Sequence, residues 1–133
     1  MCLLYTYTMQ VRIDLEAAAP AWRQIADQLR AALVSGQLRP GAQLASVREL
    51  ALDLGLNHNT VAEAYRQLAA EGFLQLDRRT GAVVLERKAP RPPAGEQERF
   101  AGRLRTLVAE ARAAGVPAPS LQSALRRAIE ELP

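Results

Sequence analysis

Residues that could build a catalytic or metal centre are scarce in this chain. It has one histidine, His58, and one cysteine, Cys2. Together they cannot supply a His/Cys zinc cluster, and Cys2 has no partner for an internal disulfide. With no signal-peptide pattern either, the cytoplasm is the expected compartment. No stretch reaches the roughly 18 apolar residues of a membrane-spanning helix, so no membrane partner is expected. A Gly-rich phosphate loop is also missing. His58 would need a partner in a pocket to act as a general base. An enzyme is therefore not expected, nor a cofactor or metal. Lysine is almost absent, Lys88 being the only one. The basic charge is nearly all arginine, whose fork-shaped guanidinium is permanently charged. The formal net charge of +3 over 133 residues points only weakly to a nucleic-acid partner. Aromatics are few, and the single tryptophan, Trp22, reads as a core or interface anchor.

What is present is concentrated between Ser46 and Gly72. Two helix starts are written there, each a hydroxyl followed three residues on by a carboxylate: Ser46 with Glu49, and Thr60 with Glu63. In such a capping box the hydroxyl takes an orphan N–H and the carboxylate reaches back to the cap's own N–H. That occupies both carboxylates and removes the only candidate acid pair. Val47, Leu50, Ala51 and Leu54 form a helical stripe that Gly55 stops; Val61, Ala64, Tyr65 and Leu68 form a second that Gly72 stops. Two short helices around a tight Gly-containing turn make a helix-turn-helix, whose second helix enters the DNA major groove. Asn57, His58, Asn59 and Thr60 crowd the entrance of that helix, and Arg66 and Gln67 follow. Short amides and hydroxyls there suit phosphate and base-edge contacts. The bland reading, capping and solvation alone, competes with this; for His58 the two weigh about evenly.

The flanking segments complete an architecture. Residues 1–8 carry no clear pattern; they read as a disordered or over-called extension, with Met9 the alternative start, or else as a short strand. Val11, Ile13 and Leu15 alternate with Arg12, Asp14 and Glu16, which predicts a short strand or extended segment with one face packed. Pro20 opens a helix striped by Trp22, Ile25, Ala26, Leu29 and Leu33 and closed by Gly36, with Gln24, Asp27, Gln28 and Arg30 on its wet side. Residues 38–44 read as a turn and approach. After Gly72, residues 73–76 and 82–85 are β-prone runs around a polar tip, Asp77-Arg78-Arg79-Thr80-Gly81. Three helices and a two-stranded hairpin make a winged helix. Arginines at a wing tip can enter the minor groove or clamp phosphate, which outweighs plain turn charge for Arg78 and Arg79.

Residues 89–95 are a proline-dense, semi-rigid linker. Beyond it Phe100, Leu104, Leu107, Val108 and Ala111 stripe one helix ending at Gly115. Leu121, Ala124, Leu125, Ala128, Ile129 and Leu132 stripe another, capped by Ser120. A two-helix hairpin cannot bury so wide a stripe alone, and a symmetric dimer is the commonest solution. The expected fold is therefore mainly α with a small β-hairpin: an extension (1–10), a winged helix-turn-helix domain (11–88), the linker (89–95) and a helical dimerisation segment (96–133).

Residues 11–85 resemble the GntR family of bacterial transcription regulators, and within it the short YtrA-like subfamily. The resemblance rests on Pro20-Ala21-Trp22-Arg23-Gln24-Ile25, on Leu44-Ala45-Ser46-Val47-Arg48-Glu49-Leu50-Ala51, on Asn57-His58-Asn59-Thr60-Val61, and on Ala64-Tyr65-Arg66-Gln67-Leu68-Ala69-Ala70-Glu71-Gly72. It implies that Arg48 reads a base or clamps a phosphate and that residues 57–60 contact the site. It implies that Arg66 holds the backbone and that Ser46, Arg78, Arg79 and Gly81 belong to the same DNA-facing set. Two departures leave the fold alone and bear on how deeply the wing inserts. The tip has one glycine where the family has more, and Ala45 stands in place of a usual proline. By resemblance the tail mediates dimerisation through Phe100, Leu104, Leu107, Val108, Leu121, Leu125 and Ile129, with little room for a small-molecule effector. The implied function is a sequence-specific repressor that binds double-stranded DNA, at a palindromic operator, as a homodimer. The competing reading is a winged helix used as a protein-interaction module, its basic face meeting an acidic partner. A steep dependence of affinity on salt separates the two.

Overall fold

The computed structural model describes residues 10–77 and 81–132. The chain divides into two units, residues 1–87 and 88–133. The first holds α1 (Ala21–Ser35), β1 (Gln43–Leu44), α2 (Val47–Leu54), α3 (His58–Ala70), β2 (Leu74–Asp77) and β3 (Gly81–Val84); the second holds α4 (Glu96–Ala113) and α5 (Ala118–Glu131).

In the first unit the expected stripes become the core. Pro20, at φ −64°, flanks the start of α1, which buries Ile25, Ala26, Leu29 and Ala32. That face packs on α3, which also packs on α2 and β2. Tyr65, Ile25, Leu68 and Val61 are the largest fully buried side chains, so the second helix of the helix-turn-helix is the central member of the unit. The wing strands pair antiparallel from Leu74↔Val84 to Asp77↔Gly81. The hairpin expected from sequence has a third strand: β1 pairs with β3, Gln43 opposite Val83 and Leu44 opposite Ala82, giving the order β1-β3-β2. The result is a winged helix with a three-stranded antiparallel sheet.

Local chemistry shifts several expected boundaries. Ser46 caps α2 as foreseen: its Oγ accepts the Glu49 N–H at 3.1 Å and lies 3.2 Å from Glu49 Oε1. Thr60 does not cap α3. Asn57 does, its Oδ1 accepting the Asn59 N–H at 2.8 Å. The turn explains the shift. Gly55, at φ +66°, closes α2 with the Leu56 N–H bonded to Ala51 O, and this tight reversal leaves Asn57 as the first residue able to receive the new helix's N–H groups. Thr60 thus lies inside the first turn, and Glu63 pairs with Arg66 at 2.8 Å instead of closing a capping box.

Residues 10–14 form no strand and the chain turns at 15–16; Val11 and Ile13 pack against the core, whereas Leu15 is 81% exposed. Two glutamines expected on the wet face of α1 hold this segment. Gln28 accepts from Arg12 N and donates to Arg12 O, at 2.9 and 2.6 Å. Gln24 does the same for Asp14, at 2.8 Å in both directions. Their amides present one donor and one acceptor side by side, as a neighbouring strand would. Residues 1–8, Met9, Pro133 and the wing-tip residues Arg78, Arg79 and Thr80 lie outside the described residues.

The second unit is built on charge complementarity and short turns. Glu96 and Glu98 lie in the first turn of α4 and Arg112 in the last, matching the helix dipole. Ser120 does not cap α5; Pro117 does so with extended backbone, and the Ser120 N–H bonds Pro117 O at 3.1 Å. Neither helix has a buried residue.

Candidate nucleic-acid interface

Three elements converge beside the start of α2. Ser46 sits at its cap, Arg48 is its second helical residue, and His58 opens α3. Gly81 opens β3 at φ +86°, and a Cβ there would stand 3.4 Å from Ser46 Cα and 3.6 Å from Leu44 O. The wing's base is thus set directly against the cap of α2; a side chain there would meet only ordinary contacts but would be strained by the positive φ. Ser46, Arg48, His58 and Gly81 line one open groove of about 580 Å³, with Asp77 and Leu76 on the wing side. Arg48 and His58 also line a second hollow of about 560 Å³ over the α2–α3 turn, with Leu52 and Leu56. Arg48 is exposed and forms no ion pair among the described residues.

The rest of the expected set lies along α3. Asn57 is its cap, and His58, Asn59 and Thr60 make its first turn, which carries no acidic residue. Asn57 takes the Asn59 N–H with its Oδ1 and the Thr60 N–H with its carbonyl, but no carboxylate offsets the positive end of the dipole there, which favours an anion. Asn59 and Arg66, seven positions apart, share the side of α3 opposite its buried Val61, Ala64, Tyr65 and Leu68. Glu63 lies on that same side and holds Arg66 in an exposed pair. Ser46, Arg48, His58 and Gly81 are thus brought into one groove, while Asn59 and Arg66 continue along the outward face. Arg78 and Arg79 fall outside the described residues, between Asp77 and Gly81.

Some supporting residues were not evident from sequence. The buried Tyr65 hydroxyl donates to Ala45 O at 2.7 Å, tying α3 to the residue before the α2 cap. Burial pushes its phenol above the ordinary value, and the charge of Glu49 adds to this, so the hydroxyl stays a donor. Arg30 forks onto Glu71 at the end of α3, Nε to Oε2 at 3.0 Å and Nη2 to Oε1 at 2.8 Å. That hydrogen bond raises the Arg30 pKa against the opposing cost of burial. A tyrosine on the apolar stripe signals packing but not its hydroxyl's partner, and no local pattern links Arg30 to Glu71. No group of side chains able to hold a metal occurs among the described residues. No described helix is long and apolar enough to cross a membrane.

Residues 22–84 match the family described as bacterial regulatory proteins, gntR family. The chain is 33% identical over 106 residues to the HTH-type transcriptional repressor YtrA of Bacillus subtilis, spanning 80% of this chain and 82% of that protein. Among solved structures it resembles YtrA from Sulfolobus acidocaldarius, a GntR-family transcription factor, at 35% identity and a TM-score of 0.56, over 79% of this chain and 99% of that one. It shares its fold with AraR(DBD) in complex with operator ORX1, at 19% identity and a TM-score of 0.50, over 57% of this chain and 95% of that one. With the winged helix, the open groove at the head of α3 and a relative matched over about four fifths of both chains all in agreement, the chain belongs to the GntR family: it is a DNA-binding transcription regulator and not an enzyme.

Proposed function

We propose that the chain is a repressor that binds a palindromic operator as a homodimer in the cytoplasm. The groove shared by the heads of α2 and α3 and the base of the wing carries this reading. There α3 would enter the major groove with His58 and Asn59 leading, the positive end of its dipole toward phosphate. Arg48 would reach a base edge or phosphate from α2, and Thr60 and Asn57 would bond the backbone. Arg66, released from Glu63, would hold phosphate further along. Arg78, Arg79 and Gly81 would bring the wing to the adjacent minor groove. The functional domains would be residues 11–88 for DNA, 89–95 as linker and 96–133 for dimerisation.

The homodimer is supported by the second unit's exposed stripe. Phe100 and Leu107 are each 61% exposed and Ile129 72%, a pattern that a symmetric partner would cover. Leu104, Leu107, Val108, Leu121 and Leu125 line an apolar cleft of about 170 Å³, smaller than usual ligand pockets, which speaks against an effector site within this unit. Repression is the role named for the Bacillus subtilis relative.

The test is random-sequence selection with the full chain, followed by footprinting of the selected duplex. Two inverted protected half-sites on opposite sides of a dyad are expected. A single, non-repeated footprint would contradict the homodimeric, palindromic reading.

A further inference from the structure

Arg87 is the last residue of the first unit, one residue short of the 89–95 linker. Arg87 is exposed, yet its guanidinium folds back onto the unit. Nε donates to Glu71 O at 2.9 Å, and the guanidinium carbon lies 4.2 Å above the Phe73 ring centre. The side chain runs beside Gly72, where a Cβ would stand 3.8 Å from Nε. Glu71 is the C-cap of α3, so its carbonyl is one of the helix's orphan acceptors at the negative end of the dipole. The Glu71 side chain is meanwhile gripped by Arg30 of α1. The exit of the DNA-binding unit is therefore fastened to the rear end of the helix whose front end faces DNA.

We infer that Arg87 is a positioning residue for operator binding: by pinning the linker's origin to the end of α3, it narrows the range of half-site spacings that the dimer accepts. The inference rests on the homodimer reading above. Leu85 stays paired regardless, its N–H bonded to Phe73 O at 2.9 Å. Loss of the Arg87 contacts thus adds Glu86 and Arg87 to the free tether. At about 3.1 Å per extended residue that is roughly 6 Å of extra reach, and a base-pair step is about 3.4 Å. Each released protomer could then follow its half-site by about two further base pairs. A tether that has lengthened also lowers the effective concentration of the second unit at the optimal spacing.

The test uses the full chain and fluorescein-labelled duplexes carrying two inverted copies of the half-site recovered by random-sequence selection. The copies are moved together or apart one base pair at a time, and a duplex with one half-site is the control. Wild type is expected to lose on the order of tenfold in affinity within two base pairs of its optimum, and Arg87→Ala about threefold or less over that range. Both should bind the single half-site equally, with unchanged melting temperature. Phe73→Leu, which removes the ring under the guanidinium and keeps an apolar side chain, should broaden the profile in the same way. An Arg87→Ala profile as narrow as wild type overturns the positioning role and leaves the homodimer standing. Weaker binding of Arg87→Ala to the single half-site also overturns it, since the residue would then act on DNA contact itself. A wild type indifferent to the second half-site overturns the homodimer reading, and this inference with it.

Discussion

The two units carry similar helical stripes but differ in what lies opposite them. In the first, Val61, Ala64, Tyr65 and Leu68 of α3 meet α1, α2 and the sheet, and Val61, Ala64 and Leu68 are all 0% exposed. In the second, Leu121, Leu125 and Ile129 of α5 repeat the spacing, yet neither α4 nor α5 has a buried residue. A periodic apolar face predicts that something will be covered; it does not say by what. The first unit answers from within its own chain, through segments far apart in sequence. The second contains too few elements to do so, which is why its stability is expected to depend on a partner.

The most severe way to break this contrast is to delete residues 96–133. The shortened protein is expected to sediment as a monomer at micromolar concentration. Its operator affinity should fall on the order of a hundredfold or more, because the second half-site contact becomes bimolecular. A truncated protein that remains dimeric would move the dimer seam into the first unit. Next in size is a pair of substitutions. Leu68→Ala should lower folding stability by about 2–5 kcal/mol in denaturant melts. Ile129→Ala should leave folding at low concentration nearly unchanged and instead weaken dimerisation by about 1–3 kcal/mol in sedimentation equilibrium. Equal effects of both on folding would erase the distinction between the units.

Arg48→Ala should weaken binding to the preferred site by roughly 1–3 kcal/mol if the guanidinium reads a base, with the melting temperature unaltered. Unchanged affinity for that site would remove Arg48 from the interface. Tyr65→Phe is expected to cost about 1–2 kcal/mol, since it leaves the Ala45 carbonyl without its buried donor. The phenol also sets an alkaline limit. Folding raises its pKa, chiefly through burial, so the unfolded chain gives up that proton first. Its contribution is fully present below the unfolded phenol's value of about 10 and declines as pH rises from there toward the folded value. Melts between neutral pH and pH 11 should therefore show a steeper alkaline loss in wild type than in Tyr65→Phe; parallel curves would contradict the assignment.

Much of the winged helix was legible in the sequence because its signals are local. Ser46 with Glu49, Gly55, Gly72 and the apolar stripes each act within a turn or two of helix. Where two local signals competed, the start of α3 was misplaced: Asn57 and Thr60 are both good caps, and the geometry of the Gly55 reversal chose between them. Ser120 lost to Pro117 in a comparable way, because extended proline backbone already supplies the cap. Strand β1 escaped notice because two residues, Gln43 and Leu44, cannot display an alternation; their pairing is imposed by β3, about forty residues on. The Gln24 and Gln28 clasps, the Arg30–Glu71 fork and the Tyr65–Ala45 bond are likewise long-range partnerships of residues whose local pattern reads only as helix surface or core. For the interface, residue types at the head of α3 pointed to DNA. The assembly of Ser46, Arg48, His58 and Gly81 into one groove required the fold, since it joins residues some thirty-five positions apart through a β3 start whose positive φ suits glycine.

The central claim is that this groove and the outward face of α3 recognise a specific duplex. Fluorescence anisotropy of the full chain on the selected duplex and on a scrambled duplex, over a salt series, tests it most directly. The expected result is tight binding to the selected duplex and a clear preference over the scrambled one. Affinity should fall linearly with salt on logarithmic axes, with a slope of roughly −0.9 for each phosphate neutralised. Equal affinity for both duplexes, or a slope near zero, would contradict it.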